Sequence, residues 1–314
     1  MIDLFGNEVA ENQSIPVNIY ADEIQNCVHS VTGEEWLYIG AVFEEVSKPI
    51  LDDLKAVRYC KNLPGWEKFV DKNNSEIHWT NMKNDANKAN IADRWLSYLY
   101  DDCVVSRRKF RFAILGINMT NLNLTEFADD QRFNSVYNRF FRTLVTKALG
   151  TYYSSGVVVN QIFHEEGQQV HHDYFSWHTN YRLARDLNIQ SINKEIYYLP
   201  KSHIADERSN IIQLIDMLMG MFKDLHLGVN HDTYHQRKKT LLEHKFVQEV
   251  LEQRVIKVGY NPNSSFGYHN RFSISLFPST STDIEDSERS KDCFYNLNTE
   301  PLSYYKAFDT ISLF

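Results

Sequence analysis

Polar and apolar positions along the chain follow two periods. IPVNIYADE (15–23) alternates, with Val17, Ile19 and Ala21 on one side and Asn18, Tyr20 and Asp22 on the other, which predicts a β-strand. WLYIGAVF (36–43) predicts a second strand after a polar loop containing Thr32 and Gly33, so the two should pair as an antiparallel hairpin. Further strands are expected at 109–119, 156–163 and 195–199, the last stopped by Pro200. Helical spacing covers 47–62, with Ser47 as N-cap and Pro49 in the first turn, then 84–101, 126–149 ending at Gly150, and 171–187. IIQLIDMLMGMF (211–222), with Ser209 as its expected cap, is apolar around almost its whole circumference and predicts a buried helix. An amphipathic helix over 235–257 and a polar, mobile loop over 278–292 complete the pattern.

An initial antiparallel run followed by alternating strands and helices predicts an α/β fold, with a mixed five-stranded sheet flanked by helices on both faces. Residues 1–225 would form this domain and 226–314 a helical C-terminal extension packed on it. No apolar run reaches the roughly 18–20 residues of a membrane span, and the start, MIDLFGNEVAENQ, lacks signal-peptide character. Cys27, Cys60, Cys103 and Cys293 form no CxxC pair, which suits a reducing, cytoplasmic location rather than a zinc cage. The net charge of −8 argues against a broad basic surface but leaves room for a local one.

A carboxylate in the middle of an apolar helix is costly, so Asp216 should be paired, protonated or bound to a cation. Gln213 lies one turn earlier on the same face. Asp22 and Glu23 close the first predicted strand, where α/β sheets commonly present ligand groups. Glu76 and His78 stand two apart in EIHW, and FHEEGQQ (163–169) supplies His164, Glu165 and Glu166. Each has an ordinary structural reading: acids opening a turn, an acid in a first helical turn, a buried pair with Gln213, a charged loop. The histidines of 171–178 and 231–235 lack a metalloprotease acid and read as exposed. The basic runs 107–109 and 236–239 read as solvated faces, or as phosphate contacts if nucleic acid is the substrate. Jointly, the acids can converge at one edge of the sheet. Oxygen-only sites suit Mg²⁺ or Mn²⁺, and a pair of such ions about 3.5–4 Å apart can hydrolyse a phosphodiester.

The motifs in this order resemble those of the bacterial family catalogued as domain of unknown function 3800, over about residues 17–225. Its opening strand ending in Asp-Glu-Ser-Gly is similar to IYADEIQN, which keeps Asp22 and Glu23 without Ser-Gly. Its Glu-x-His element is matched by Glu76-Ile77-His78. Its later Asp-Glu strand is matched by IFHEE, with His164 in place of Asp and Glu165 kept. Its Ser…Gln-Leu-x-Asp helix is matched by Ser209, Gln213, Asp216 and Gly220.

The resemblance implies a ribonuclease H-like fold and a metal-dependent nuclease, with Asp22, Glu76 and Asp216 as metal ligands and Glu165 as a fourth catalytic acid. Glu23, His78 and His164 would support the ligands or move protons, and Gln213 would orient Asp216 by a hydrogen bond. Expected partners are DNA or RNA, a protein from the same locus, or a second copy in a homodimer, with no membrane. Phage defence or a mobile element is the implied setting. The alternative is a degenerate module of the same fold that binds nucleic acid or a protein without cutting.

Overall fold

A computed structural model of the chain describes residues 14–59, 76–82, 85–102, 111–122, 132–153, 156–167, 175–227, 236–252, 272–277 and 295–296. The strands are β1 (Ile15–Val28), β2 (Glu35–Glu45), β3 (Arg111–Asn118), β4 (Val157–Glu165), β5 (Ile196–Leu199), β6 (Phe272–Phe277) and β7 (Tyr295–Asn296). The α-helices are α1 (Leu51–Arg58), α2 (Ala86–Tyr100), α3 (Arg132–Tyr152), α4 (Phe175–Leu187), α5 (Ser209–His226) and α6 (Gln236–Leu242).

All seven strands form one sheet in the order β5-β4-β1-β2-β3-β6-β7. β1, β2 and β3 are antiparallel neighbours, while β4 runs parallel to β1 and β5 parallel to β4. This five-stranded part is the expected mixed sheet, in the ribonuclease H-like arrangement. The sheet does not stop there: β6, from the region expected to be a helical extension, adds parallel to β3, and β7 follows antiparallel.

The period-two pattern sorts side chains between the faces. Val17, Ile19, Ala21, Leu37, Ile39 and Ala41 enter a core shared with α3 and α4. Tyr20, Trp36, Tyr38 and Val42 enter a second core beneath α5, backed by α1, α2 and residues 241–251. Helix α5 is therefore enclosed by the sheet on one side and by helices on the other, and it is buried around its circumference as its composition predicts.

Several local expectations are corrected. Helix α1 starts at Leu51 with Ile50, not Ser47, at its N-cap and no side-chain cap; Oε1 of the buried Glu44, from β2, accepts the Ile50 N–H at 2.6 Å. Ser209 does not cap α5: its hydroxyl donates to Pro200 O at 2.5 Å, while Arg208 occupies the N-cap position. Helix α3 continues two residues beyond Gly150. The long helix expected over 235–257 is broken by a turn at 243–244 into α6 and a π-helical turn, Val247–Glu252. The loop expected at 278–292 lies outside the described residues. Among the described residues no helix is long and apolar enough to cross a membrane.

Two glycines let α5 approach its neighbours. A Cβ on Gly40 of β2 would lie 2.6 Å from Met219 Sδ, the movable end of a flexible chain. A Cβ on Gly220 would lie 2.5 Å from Trp79 Cβ, which is fixed to backbone. Ala normally gains about 1 kcal/mol over Gly inside a helix. At Gly220 the overlap should outweigh that gain and leave a net loss of about 1–3 kcal/mol. Urea unfolding should therefore rank Gly220→Ala below Gly40→Ala and below the unsubstituted chain; an unchanged or higher midpoint for Gly220→Ala contradicts this packing.

Candidate active site

β1 does not end at its acids. It continues to Val28, but its pairing with β4 ends at Ala21–His164, so Asp22 is the first residue beyond that seam. Alternation then divides the acids. Tyr20 and Phe163 stack with ring centroids 4.8 Å apart on the α5 face, and two residues further along each strand Asp22 and Glu165 lie on that same face. Glu23 and His164 lie on the opposite face, with Glu23 Oε2 3.7 Å from His164 Nε2.

On the α5 face, Asp22 is 2% exposed and hydrogen-bonds with Glu165. Its Oδ1 accepts Glu23 N–H at 2.8 Å. Burial raises the Asp22 pKa well above the usual carboxylate value, and the charges of Glu165, Glu23 and Asp216 add to the rise. Burial raises Glu165 too, with Glu23 and Asp216 adding to it, while its bond to Asp22 and the charge of Lys201 work against the rise. Lys201 Nζ lies 3.5 Å from Glu165 Oε1, and its own pKa is raised chiefly by Glu165, with smaller contributions from Asp22 and Glu76. Glu76 thus stands within electrostatic reach of the acids through Lys201, half-buried at the margin of the group. Burial also raises Asp216, against the pull of His78 and the Trp79 N–H.

Asp216 belongs to a stripe on α5 that docks residues 76–82. Gln213 Oε1 accepts Ile77 N–H at 3.0 Å, and Asp216 Oδ2 accepts Trp79 N–H at 2.8 Å. Gly220 lies under the Trp79 side chain, and Asp224 Oδ2 accepts the indole N–H at 2.5 Å. These positions recur every three to four residues and so face one way. Gln213 therefore does not bond Asp216 as expected. It holds the neighbouring backbone instead, accepts from Arg58 Nη1 at 3.0 Å, and donates to Lys201 O at 2.8 Å. One amide thereby ties together the segments that carry Glu76 and Lys201.

The imidazoles are fixed in different ways. His78 Nδ1 accepts from Thr80 N–H at 3.3 Å, capping a single 3₁₀ turn (Trp79–Asn81), and lies 3.4 Å from Asp216 Oδ2. Accepting at Nδ1 puts the proton of the neutral ring on Nε2, on a side chain 41% exposed. His164 is fully buried; its Nδ1 donates to Glu165 O at 2.7 Å, so Nε2 accepts from the Tyr137 hydroxyl. With both nitrogens used under the sheet, His164 is a brace for the Glu165 backbone rather than a ligand or base on the acid face.

Among the described residues, no three His, Cys, Asp or Glu side chains are gathered as a set that could hold a metal ion. The chemistry of the donors nonetheless fits a hard cation: Asp22, Glu165 and Asp216 offer oxygen alone, and burial raises the pKa of each. Lys238, from 236–239, is buried 3.8 Å from Asp224 and stands over the Trp79 ring at 4.5 Å, while 107–109 lies outside the described residues. His178 Nδ1 hydrogen-bonds with the Asn138 amide at 3.2 Å; the histidines at 171, 172, 231 and 235 lie outside the described residues.

Trp79, Asp224, Lys201 and Tyr137 escaped the sequence reading. Asp224 follows Asp216 at helical spacing, and Trp79 adjoins His78, so both had a local signal. Lys201, just past β5, and Tyr137, on α3, had none.

An acid whose pKa rises on folding holds its proton more tightly in the folded chain. Its stabilising share is complete below its unfolded pKa and is lost as pH rises through the folded pKa. Asp22→Asn should therefore melt several degrees above the unsubstituted chain at pH 8 in EDTA, and the gap should shrink toward pH 4. Equal melting at pH 8, or a gap that widens on acidification, contradicts the arrangement.

In comparisons with known proteins, no family model matches the chain, and no curated protein matches it either.

Proposed function

We propose that the chain hydrolyses nucleic-acid phosphodiesters with a divalent cation held on its acid face. One observation carries this reading: Asp22 is buried beside Glu165 and within reach of the Asp216 charge, on one face of a ribonuclease H-like sheet. The Glu165 and Asp216 charges add to the raised proton affinity of Asp22, and a cation relieves that repulsion directly. The resemblance to the domain of unknown function 3800 family supports the same assignment.

Asp22, Glu165 and Asp216 would hold the ion, with Glu76 at the margin, and Mg²⁺ or Mn²⁺ suits their all-oxygen chemistry. Bound there, the ion supplies water activation and neutralisation of charge on the phosphodiester. The chain's own groups provide the rest. Glu23 N–H and Trp79 N–H fix one oxygen each of Asp22 and Asp216. Lys201 offers a cation to a phosphate oxygen. His78 Nε2, at the exposed side of its ring, can pass a proton to or from a group at the edge of the site.

A second reading, a module that binds nucleic acid or a protein partner without cutting, is favoured by the lack of a gathered three-residue ligand set among the described residues.

Two measurements separate these readings. Mn²⁺ at 100 times its dissociation constant should add about 2.7 kcal/mol of stability, and Asp22→Asn should abolish the gain. Labelled single- and double-stranded DNA and RNA should be cut in Mg²⁺ or Mn²⁺, with Asp216→Asn slower by roughly 100-fold or more, the scale typical of lost electrostatic support at a reacting centre. Equal cleavage by both chains sinks the proposal. No cleavage together with no thermal response to Mn²⁺ selects the binding module.

A further inference from the structure

Among the described residues, the largest exposed aromatic feature lies away from the acids, along α4. Trp177 and Tyr181, one turn apart, are 59% and 49% exposed, and their rings stack nearly parallel, at 9°, with centroids 5.3 Å apart. The Arg185 guanidinium continues the ladder at 5.5 Å from the Tyr181 ring. These residues rise over about 12 Å of helix, given 1.5 Å per residue. Large rings left facing water bring the folded chain nothing, so their exposure asks for an occupant.

The ladder borders an open groove of about 450 Å³ between α4 and residues 189–194. Its wall is preorganised: Asn180 Nδ2 donates to Ser176 O at 2.9 Å and to Lys194 O at 2.5 Å. The exposed Lys194 adds a cation on the far side.

The surroundings are basic, although the chain carries a net charge of −8. Arg139 and Arg142 of α3 stand beside Arg182 and Arg185 of α4. Burial and the charges of Arg182, Arg139 and Arg185 push the Arg142 guanidinium down to about 10. Asp186 pairs with Arg182 and Arg185, and Glu195 follows Lys194; five cations therefore face two acids here. Stacked flat rings flanked by clustered arginines match the bases and phosphates of a single strand. A second copy of this acidic chain matches them less well, and a duplex hides its base faces.

The ladder starts at the level of the acids, on the opposite face of the sheet. Phe175, two residues before Trp177, packs edge-on against His164 with centroids 5.8 Å apart, and His164 precedes Glu165. At its other end, α4 leads into Gln190, whose carbonyl accepts Val159 N–H at 2.9 Å, near the start of β4. The groove thus runs beside the sheet edge, from the level of the acids toward the opposite end.

We propose that Trp177, Tyr181 and Arg185, with the neighbouring arginines and Lys194, bind single-stranded nucleic acid by base stacking and phosphate contact. This names the substrate class of the reading above and rests on that reading for its purpose, although its test does not depend on cleavage.

The test is fluorescence anisotropy of labelled 12-nucleotide DNA and RNA, single-stranded and duplex, in EDTA and at several salt concentrations. The full chain should bind single strands in preference to duplex. Trp177→Ala with Tyr181→Ala should weaken binding at least tenfold. Arg185→Ala with Lys194→Ala should flatten the logarithmic salt dependence by about 0.7 for each phosphate that is no longer neutralised. All four side chains are exposed, so melting temperatures should stay unchanged.

Absence of binding at low salt overturns the proposal, as does affinity indifferent to the aromatic pair or a preference for duplex. Self-association abolished by the aromatic substitutions also overturns it, by assigning the ladder to a second copy. Binding retained with no cleavage counts against the hydrolase reading alone. Cleavage lost in Asp216→Asn but intact in the aromatic variant counts against the ladder alone.

Discussion

The architecture of the acid face depends on the docking of residues 77–79 along α5. Without it, Asp216 would be a buried carboxylate in an apolar helix, a costly object. With it, one oxygen receives a backbone N–H, and the side chain stays within electrostatic reach of Asp22 on the same face of the sheet. Gln213, Asp216, Gly220 and Asp224 act on successive turns, and each meets a different atom of one short segment. A helix this apolar would otherwise be free to rotate or slide over the sheet at little cost. Directional bonds to a fixed partner specify a single register, which hydrophobic contact alone does not.

Much of this was legible in the sequence because it was periodic. The five strands of the ribonuclease H-like sheet, the division of β1 into two faces and the burial of α5 all follow from spacing. The misses have physical causes. Ser47 does not cap α1 because the helix starts four residues later, at Leu51, beyond the reach of its hydroxyl. Strand β6 was invisible because FSISLF is short and its partner, β3, lies about 160 residues earlier, an offset that no local pattern carries. Among the candidate residues, Asp22, Glu165 and Asp216 fall on one face, as their placement on two strands and a helix allowed. Gln213 was placed on the correct face but given the wrong partner, because helical spacing shows where a side chain points and not which backbone arrives there.

The face occupied by each residue also separates the roles of positions 164 and 165. A one-residue step along a strand changes sides. Glu165 therefore joins Asp22 while His164 turns to Tyr137 and Glu23. The two sides remain mechanically joined, since His164 grips the Glu165 carbonyl and the Glu23 N–H grips Asp22. Acid chemistry on one face is supported by aromatic packing on the other.

The central position of β1 has a consequence for the order of events during synthesis. Its hairpin partner emerges at once, but β4 begins at residue 157 and α5, which covers the other face, ends at 226. At about 5–20 residues per second, α5 is completed roughly 10–40 s after β2. Tyr38 and Val42 wait over that whole interval for α5, and Val17 and Ile19 wait until α3 and α4 are complete at residue 187. Closure of these distant contacts is the slow, topology-limited part of folding. The most buried elements of the finished protein are thus the ones that wait longest for their partners, and a nascent chain of this design is most prone to mispair in its β1–β2 hairpin.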